Sequence, residues 1–299
     1  MASIVITREK DNMDTTELYH QYKALLFTLA YQLTGSTVDA EDVVQEVFVK
    51  IHKLNGNELE QPKAYLCKMV TNQCYDLLKS AQRRREQYFG TWLPEPVATT
   101  YEDPIDSIVR SDLLSYAMLV LLERLAPVER TIFILREALG FDYPAIAQIV
   151  NKNEVNCRKL LSRARNKMGI SEEEPIPHEL ASEEWVMRLL QALRSNSVDA
   201  VVSMLHEDIV VLSDGGGKVS AAAHPITTPE RVAQFLIGLM KKTVQQENLL
   251  HYEITSINGQ AGVIVHTDGR PDTVILLHSE GAAIRNIYFV RNPDKLVRL

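Results

Sequence analysis

The chain has 299 residues, 45% of them hydrophobic and 24% charged, with 13 glycines, 12 prolines, three cysteines and a formal net charge of −7. That length predicts two or three domains, and the composition excludes a collagen-like, extended disordered or coiled-coil rod architecture. No run reaches the ~18 consecutive apolar residues of a membrane span, Ile4-Val5-Ile6 is too short for a secretory signal, and Cys67, Cys74 and Cys157 lack metal-type spacing, so the expectation is a cytoplasmic protein with no membrane partner, metal or cofactor.

In chain order, Leu18, Tyr22, Leu25, Leu26, Leu29 and Leu33 recur at three- and four-residue steps, predicting an amphipathic helix over 14–33 that stops at Gly35. A second helix is predicted from Asp39 through Val43, Val44, Val47, Phe48, Ile51 and Leu54, ended by Asn55-Gly56-Asn57. Its outward face carries Asp39, Glu41, Asp42, Gln45 and Glu46, and acids in a first turn suit the helix macrodipole, so alone they specify no partner. A third helix starts at Pro62, a residue suited to the first helical position, and runs into Lys79, Arg83, Arg84 and Arg85. Away from its apolar stripe it presents Asn72, Gln73, Tyr75, Asp76, Lys79, Ser80, Arg83 and Arg84, where an aromatic ring and amides beside cations suit unstacked bases and backbone phosphates.

Residues 91–109 hold four acids and no base, and with three prolines in 90–107 they read as a linker. Residues 110–170 reverse the balance, with 10 Lys/Arg against 6 Asp/Glu. Helices are predicted over about 105–125 and 127–139, then a short helix over 143–150, a turn at Asn151-Lys152-Asn153 and a helix from Glu154 to about Met168. This is helix-turn-helix spacing, with Asp142 and Asn153 as N-caps. In the last helix Cys157, Leu160, Leu161, Ala164 and Met168 form the inward stripe, which leaves a basic face able to meet phosphates and base edges. A merely solvated basic face on a bundle helix is the plainer alternative.

The acidic, proline-bearing SEEEPIPHE marks a second boundary, and residues 171–299 carry 11 Lys/Arg against 17 Asp/Glu. Helices are predicted at 182–194, 197–204 and 228–242. Strands are predicted at 208–213, 249–257, 261–267, 272–278 and 282–290, parted by Gly-rich turns at hairpin spacing. Helices on a curved antiparallel sheet make an α+β domain.

The ordered series DAEDVVQEVF, PKAYLCKMVTNQCYDLLKSAQRRR, LAPVERTIFILREALGFDYPAIAQIV and the basic helix ending SRARNKM resembles the two conserved domains of extracytoplasmic-function sigma factors of bacterial RNA polymerase, over roughly residues 14–168. WLPEP in the linker, DGGGK at 214–218 and NPDKL at 292–296 look like the subgroup with a fused C-terminal SnoaL-like domain, related to ketosteroid isomerase and thought to replace a separate anti-sigma protein. The resemblance implies two all-α sigma domains, a helical bundle at 1–89 and a helix-turn-helix at 108–170, joined by a linker at 90–107 and followed by the SnoaL-like domain at 171–299.

It further implies partners and roles. Core RNA polymerase would bind through its β′ clamp helices and β flap, with Asp39, Glu41, Asp42, Gln45, Glu46 and Phe48 on the clamp. Asn72, Asp76, Lys79, Ser80, Arg83 and Arg84 would hold the melted minus-ten strand of promoter DNA, and Asn153, Glu154, Asn156, Arg158, Lys159, Ser162 and Arg163 the minus-thirty-five duplex. Regulatory contact would involve Trp92, Pro94, Asp214, Gly215, Gly216, Gly217, Lys218, Asn292, Pro293, Asp294, Lys295 and Leu296. Members often carry Arg or Lys early in the last helix, where this chain has Glu154-Val155-Asn156-Cys157, a departure that leaves the preferred promoter open.

A SnoaL-like cone also leaves room for an unidentified small ligand, and His206, Asp208, Asp214, His224, Tyr252, His266 and Asp268 are its candidate catalytic groups. Catalysis is not the expectation, because Asp214 and Asp268 read as turn residues. Two rival readings remain: a helix-turn-helix regulator with a small-molecule sensor, and a SnoaL-type isomerase or cyclase with a DNA-binding appendage.

Overall fold

The computed structural model describes residues 15–53, 61–86, 88, 90–99, 115–171, 182–245 and 250–299; the side chains of 80–86, 243–245 and 250 lie outside that description. The first bundle is α1 (Thr15–Thr34), α2 (Thr37–Lys53) and α3 (Pro62–Glu86). The predicted stripes are its core: Leu18, Leu26, Leu29 and Leu33 of α1 meet Val43, Val44, Val47 and Ile51 of α2 and Leu66, Cys67, Val70 and Cys74 of α3, all buried. Burial pushes the Cys67 thiol up to about 12, which keeps it a protonated core side chain.

The second bundle is α4 (Tyr116–Leu122), α5 (Pro127–Phe133), α6 (Tyr143–Val150) and α7 (Glu154–Met168). The helix expected over 127–139 changes register at its end, where Ile134–Ala138 form a π turn in which Leu139 N–H reaches Ile134 C=O at 3.0 Å. The wider turn ends with Leu139 and Phe141 buried, a displacement that an uninterrupted 3.6-residue period does not anticipate. Asp142 and Asn153 cap α6 and α7, each accepting a backbone N–H within its own first turn.

The α+β domain holds α8 (Glu183–Arg194), α9 (Val198–Val202), β1 (Leu205–Asp214), β2 (Ile226–Thr227), α10 (Pro229–Gln245), β3 (Leu250–Ile257), β4 (Gln260–Thr267), β5 (Arg270–Glu280) and β6 (Ala283–Val290). The sheet order is β2-β1-β6-β5-β4-β3, with β1 parallel to β6 and every other pair antiparallel. One face, including Ile209, Val211, Leu277, Ile287 and Phe289, packs on α8, α9 and α10. The opposite face, including Ile264, Val274, Leu276, Tyr288 and Val290, joins the core of the two bundles. Burial on both faces explains why β5 reads as the continuous apolar run Val274-Ile275-Leu276-Leu277 instead of alternating.

The bundles also pack on each other, α3 against α6. Arg130 of α5 is buried between them, donating to the Leu33 carbonyl at the end of α1 at 2.7 Å and pairing with Glu123 at 2.8 Å. A cation over the last carbonyls of α1 meets the negative end of that helix.

Candidate functional site

Three surfaces gather the polar chemistry. On α2, Asp42, Gln45 and Glu46 are exposed and Asp39 and Glu41 half-buried, whereas Phe48 is a core residue with its ring edge-on to Tyr19 at 5.0 Å. Gln73 of α3 donates to Glu46 and accepts from Lys50 at 3.0 Å, tying the two helices across a hollow of about 620 Å³. Asp39, Asp42, Asn72 and Asp76 line the same hollow, so the acids of α2 and the amide of α3 share one surface. Asn72, Asp76 and Lys79 are exposed, the last two paired at 3.1 Å. Ser80, Arg83 and Arg84 continue α3, but their side chains lie outside the described residues.

On α7, Asn156, Arg158, Lys159 and Arg163 are exposed and Glu154 and Ser162 half-exposed. Asn153 is occupied as the helix cap, accepting Asn156 N–H at 2.8 Å. A broad concavity of about 720 Å³ is lined by Arg158, Lys159, Ser162 and Arg163 together with Arg136 and Tyr143, two residues that sequence reasoning did not single out. The Tyr143 ring has Arg158 at 3.8 Å from its centroid and Arg136 at 5.0 Å, so stacking on one ring holds two guanidinium groups at this surface. Their signal in the sequence is an aromatic residue directly after the N-cap of the first helix of a helix-turn-helix.

The third surface is a junction where linker residues 90–99 run between the first bundle and the sheet. Asp214 is not a turn residue: it ends β1 and is fully buried. Its carboxylate accepts from Leu93 N–H at 2.9 Å, Tyr88 O–H at 2.6 Å and Gly216 N–H at 3.0 Å, and pairs with Lys295 Nζ at 2.7 Å. Burial, then the adjacent Asp214 carboxylate, push the Tyr88 hydroxyl above its usual range and keep it a donor. Lys295 also donates to the Leu93 carbonyl and lies 4.2 Å from the Trp92 ring centroid.

Two glycines are needed for closeness. Gly35 (φ +70°) receives the Trp92 ring, where a Cβ would lie 2.5 Å from Cη2, and Gly216 (φ +61°) touches Asn292, where a Cβ would lie 2.5 Å from Cγ. Asn292 is buried and donates to Tyr88 O–H at 2.9 Å, Lys218 pairs with Asp294 at 2.5 Å, and the Pro94 carbonyl accepts from Tyr116 at 2.7 Å. Gly215 and Leu296 are buried, while Gly217 and Pro293 are exposed beside them.

Further contacts at this junction were not anticipated. Asn258, in the Asn-Gly turn between β3 and β4, donates to Tyr31 O–H at 2.7 Å and accepts Val97 N–H at 3.0 Å. Tyr31 in turn donates to the Glu95 carbonyl at 2.6 Å, and the Glu95 carboxylate accepts the first N–H of α2 at Thr37. Ala98 bridges antiparallel to Ile257, adding the linker to the open edge of β3. At the C-terminus Arg298 pairs with Glu41 at 2.6 Å, placing a cation on the acidic face of α2.

Residues 18–84 match the sigma-70 region 2 family and residues 115–168 the sigma-70 region 4 family. The ECF RNA polymerase sigma factor SigJ of Mycobacterium tuberculosis is 35% identical over 283 residues, which span 90% of this chain and 89% of SigJ. The chain belongs to the extracytoplasmic-function RNA polymerase sigma factors. The probable sigma factor SigI of the same organism is 30% identical over 193 residues, 62% of this chain and 65% of SigI. The crystal structure of SigJ superposes with a TM-score of 0.76 and 28% identity, covering 94% of this chain and 98% of that one, so the likeness extends through the α+β, SnoaL-like part. As a sigma factor, the protein works in transcription initiation. Among the described residues, no helix is long and apolar enough to cross a membrane.

Proposed function

We propose that this sigma factor works in the cytoplasm, docks on core RNA polymerase through the acidic face of α2, holds the minus-ten strand with Asn72 and the basic end of α3, and reads the minus-thirty-five duplex with Arg158, Lys159, Ser162 and Arg163. The β′ clamp helices meet α2 and the β flap meets the helix-turn-helix domain. Domain limits near 89, 107 and 170 accompany this division of labour. The SnoaL-like domain regulates in cis by contact and performs no turnover. In support, most of its candidate catalytic groups are occupied or dispersed: Asp214 is saturated by four donors, His206 accepts the N–H of Asp208, Arg194 donates to Tyr252, and His224 and Asp268 are exposed in loops.

The observation that carries the regulatory part is the Asp214 junction, which fixes the linker backbone at Leu93 to the third domain. In the same closed arrangement the two DNA-reading helices lie close together. α3 and α7 both pack on α6, and two interaxial steps of 8–10 Å put them at most about 20 Å apart. The two promoter elements are about 25 base pairs apart, or about 85 Å at ~3.4 Å per step. The closed arrangement therefore engages one element at a time, and promoter binding at both requires the bundles to separate.

Run-off transcription with purified core polymerase, comparing the full chain with one ending near Ile170, tests this reading. A changed output supports regulation in cis. Identical output from matched amounts of soluble protein would make the domain a passenger and return the sensor reading. Loss of polymerase binding on reversing Asp42 and Glu46 to Lys is the expected result for the docking face.

A further inference from the structure

A cavity of about 440 Å³ opens where the first turn of α2, the middle of α3, the linker and the C-terminal turn meet. That is within the usual size of small-molecule sites, and its walls come from separate parts of the chain. Leu77 and Leu78 supply an apolar floor and Trp92 an aromatic wall. Among the described residues, three carboxylates, Asp39, Glu95 and Asp294, line it against one ammonium, that of Lys295. Most of that charge is already answered: Thr37 N–H binds Glu95, Lys218 pairs with Asp294, and Asp214 neutralises Lys295. Asp39 is different. Its half-buried carboxylate has no ion pair or hydrogen bond among the described residues. The Trp92 ring already carries one ammonium group, that of Lys295, so the chemistry of this wall suits a cation.

We propose that the cavity binds a small organic cation, an amine with an apolar body, its ammonium on Asp39 and its body against Leu77, Leu78 and Trp92. The inference deepens the regulatory reading above and rests on it for its consequence. A molecule touching α2, α3, the linker and the C-terminal turn binds the closed form better than the open one, and stabilises it by mass action. Asp39 is also one of the acids assigned to the polymerase, so ligand and polymerase would draw on the same carboxylate.

The test uses the full-length protein and three probes of similar shape: phenethylamine, neutral 2-phenylethanol and anionic 3-phenylpropionate. Calorimetry should show saturable binding of phenethylamine at millimolar concentration or below, at least about tenfold tighter than the alcohol, a difference of ~1.4 kcal/mol, with no binding of the acid. Asp39→Asn should reduce amine binding to the level of the alcohol. Val38→Trp, at an exposed wall position, should fill the space and abolish binding while leaving the circular dichroism spectrum unchanged, which keeps the test decisive if Asp39→Asn is poorly folded. Equal binding of amine and alcohol, binding indifferent to Val38→Trp, or no saturable amine binding would each overturn the site. None of these readouts depends on transcription, so a failed regulatory reading would show separately, as amine binding without any change in polymerase affinity.

Discussion

The α7 face and the Asp214 junction both rest on charged side chains, yet they use them in opposite ways. Arg158 leaves 56% of its side chain in solvent, whereas Asp214 leaves none and its partner Lys295 only 11%. Charges kept in water retain their hydration and give it up only when a polyanion arrives, so they contribute to binding and little to folding. A buried pair is the reverse: it is matched where it stands, and its removal exposes the desolvation it was hiding. Location therefore separates a contact surface from a fastening, even where residue types are the same.

The sharpest way to break that contrast is Asp214→Ala. It takes the carboxylate from Lys295 and leaves Leu93 N–H, Tyr88 O–H and Gly216 N–H without their acceptor. A loss of about 3–5 kcal/mol is expected, the usual penalty for one half of a buried pair. Lys295→Met should be milder, because the carboxylate keeps three donors. Urea denaturation of both variants measures this, and a loss below about 1 kcal/mol for Asp214→Ala would mean that the junction is not closed in solution.

Next in size is Gly35→Ala. The new methyl group would meet Trp92 at 2.5 Å on a backbone with φ +70°, so the ring must leave its seat at a cost of about 1–3 kcal/mol. Trp92 and Trp185 are the only tryptophans, so a Trp185→Phe background isolates the signal. The emission of Trp92 should shift to the red as it becomes wetter, and an unchanged spectrum would contradict the packing.

These variants also mark what the sequence made legible. Helices α1 to α3, the helix-turn-helix and strands β1 and β3 to β6 follow from periodicity and turn chemistry, because those signals are local; the two-residue β2 and the parallel pairing of β1 with β6, in a sheet expected to be antiparallel, do not. The junction depends on residues far apart in the chain. Three glycines after Asp214 made it look like a turn residue, yet its burial is decided by Leu93 and Lys295, 121 and 81 positions away. Asn258 was legible as half of an Asn-Gly turn, a role it keeps with φ +52°, but nothing nearby says that its amide holds Tyr31, 227 residues distant. Phe48 was placed on a binding face from the family pattern, and the partner that buries it, Tyr19, lies on another helix. The π turn at 134–138 was hidden because its residues are ordinary helix formers.

On the exposed side of the comparison, Arg158→Ala should leave the folded protein within about 0.5 kcal/mol of the parent. Duplex affinity should fall, and the slope of log affinity against log salt should drop by about one unit. Tyr143→Leu should reproduce part of the affinity loss while changing that slope less, because it removes the ring that holds Arg158 and not the charge itself. Equal slopes for parent and Arg158→Ala would take this guanidinium off the phosphates.

The smallest effect is expected where the two kinds of charge meet. Arg298 and Glu41 each leave 43% of their side chains exposed, so the pair resembles the α7 face in hydration, yet it lies within the closed assembly like the junction. Its hydrogen bond with Glu41 raises the Arg298 pKa, and the guanidinium stays charged at every working pH. Such a pair is worth about 0.2–1 kcal/mol, so Arg298→Ala should barely move the denaturation curve. If Glu41 is an acid that polymerase needs, removing the competing guanidinium should tighten holoenzyme formation by at most about fivefold, the same energy read as affinity. The gain should shrink at high salt, where both contacts are screened. Weaker binding by Arg298→Ala would instead place Arg298 on the polymerase, and the tail would then be part of the docking surface and not its cover.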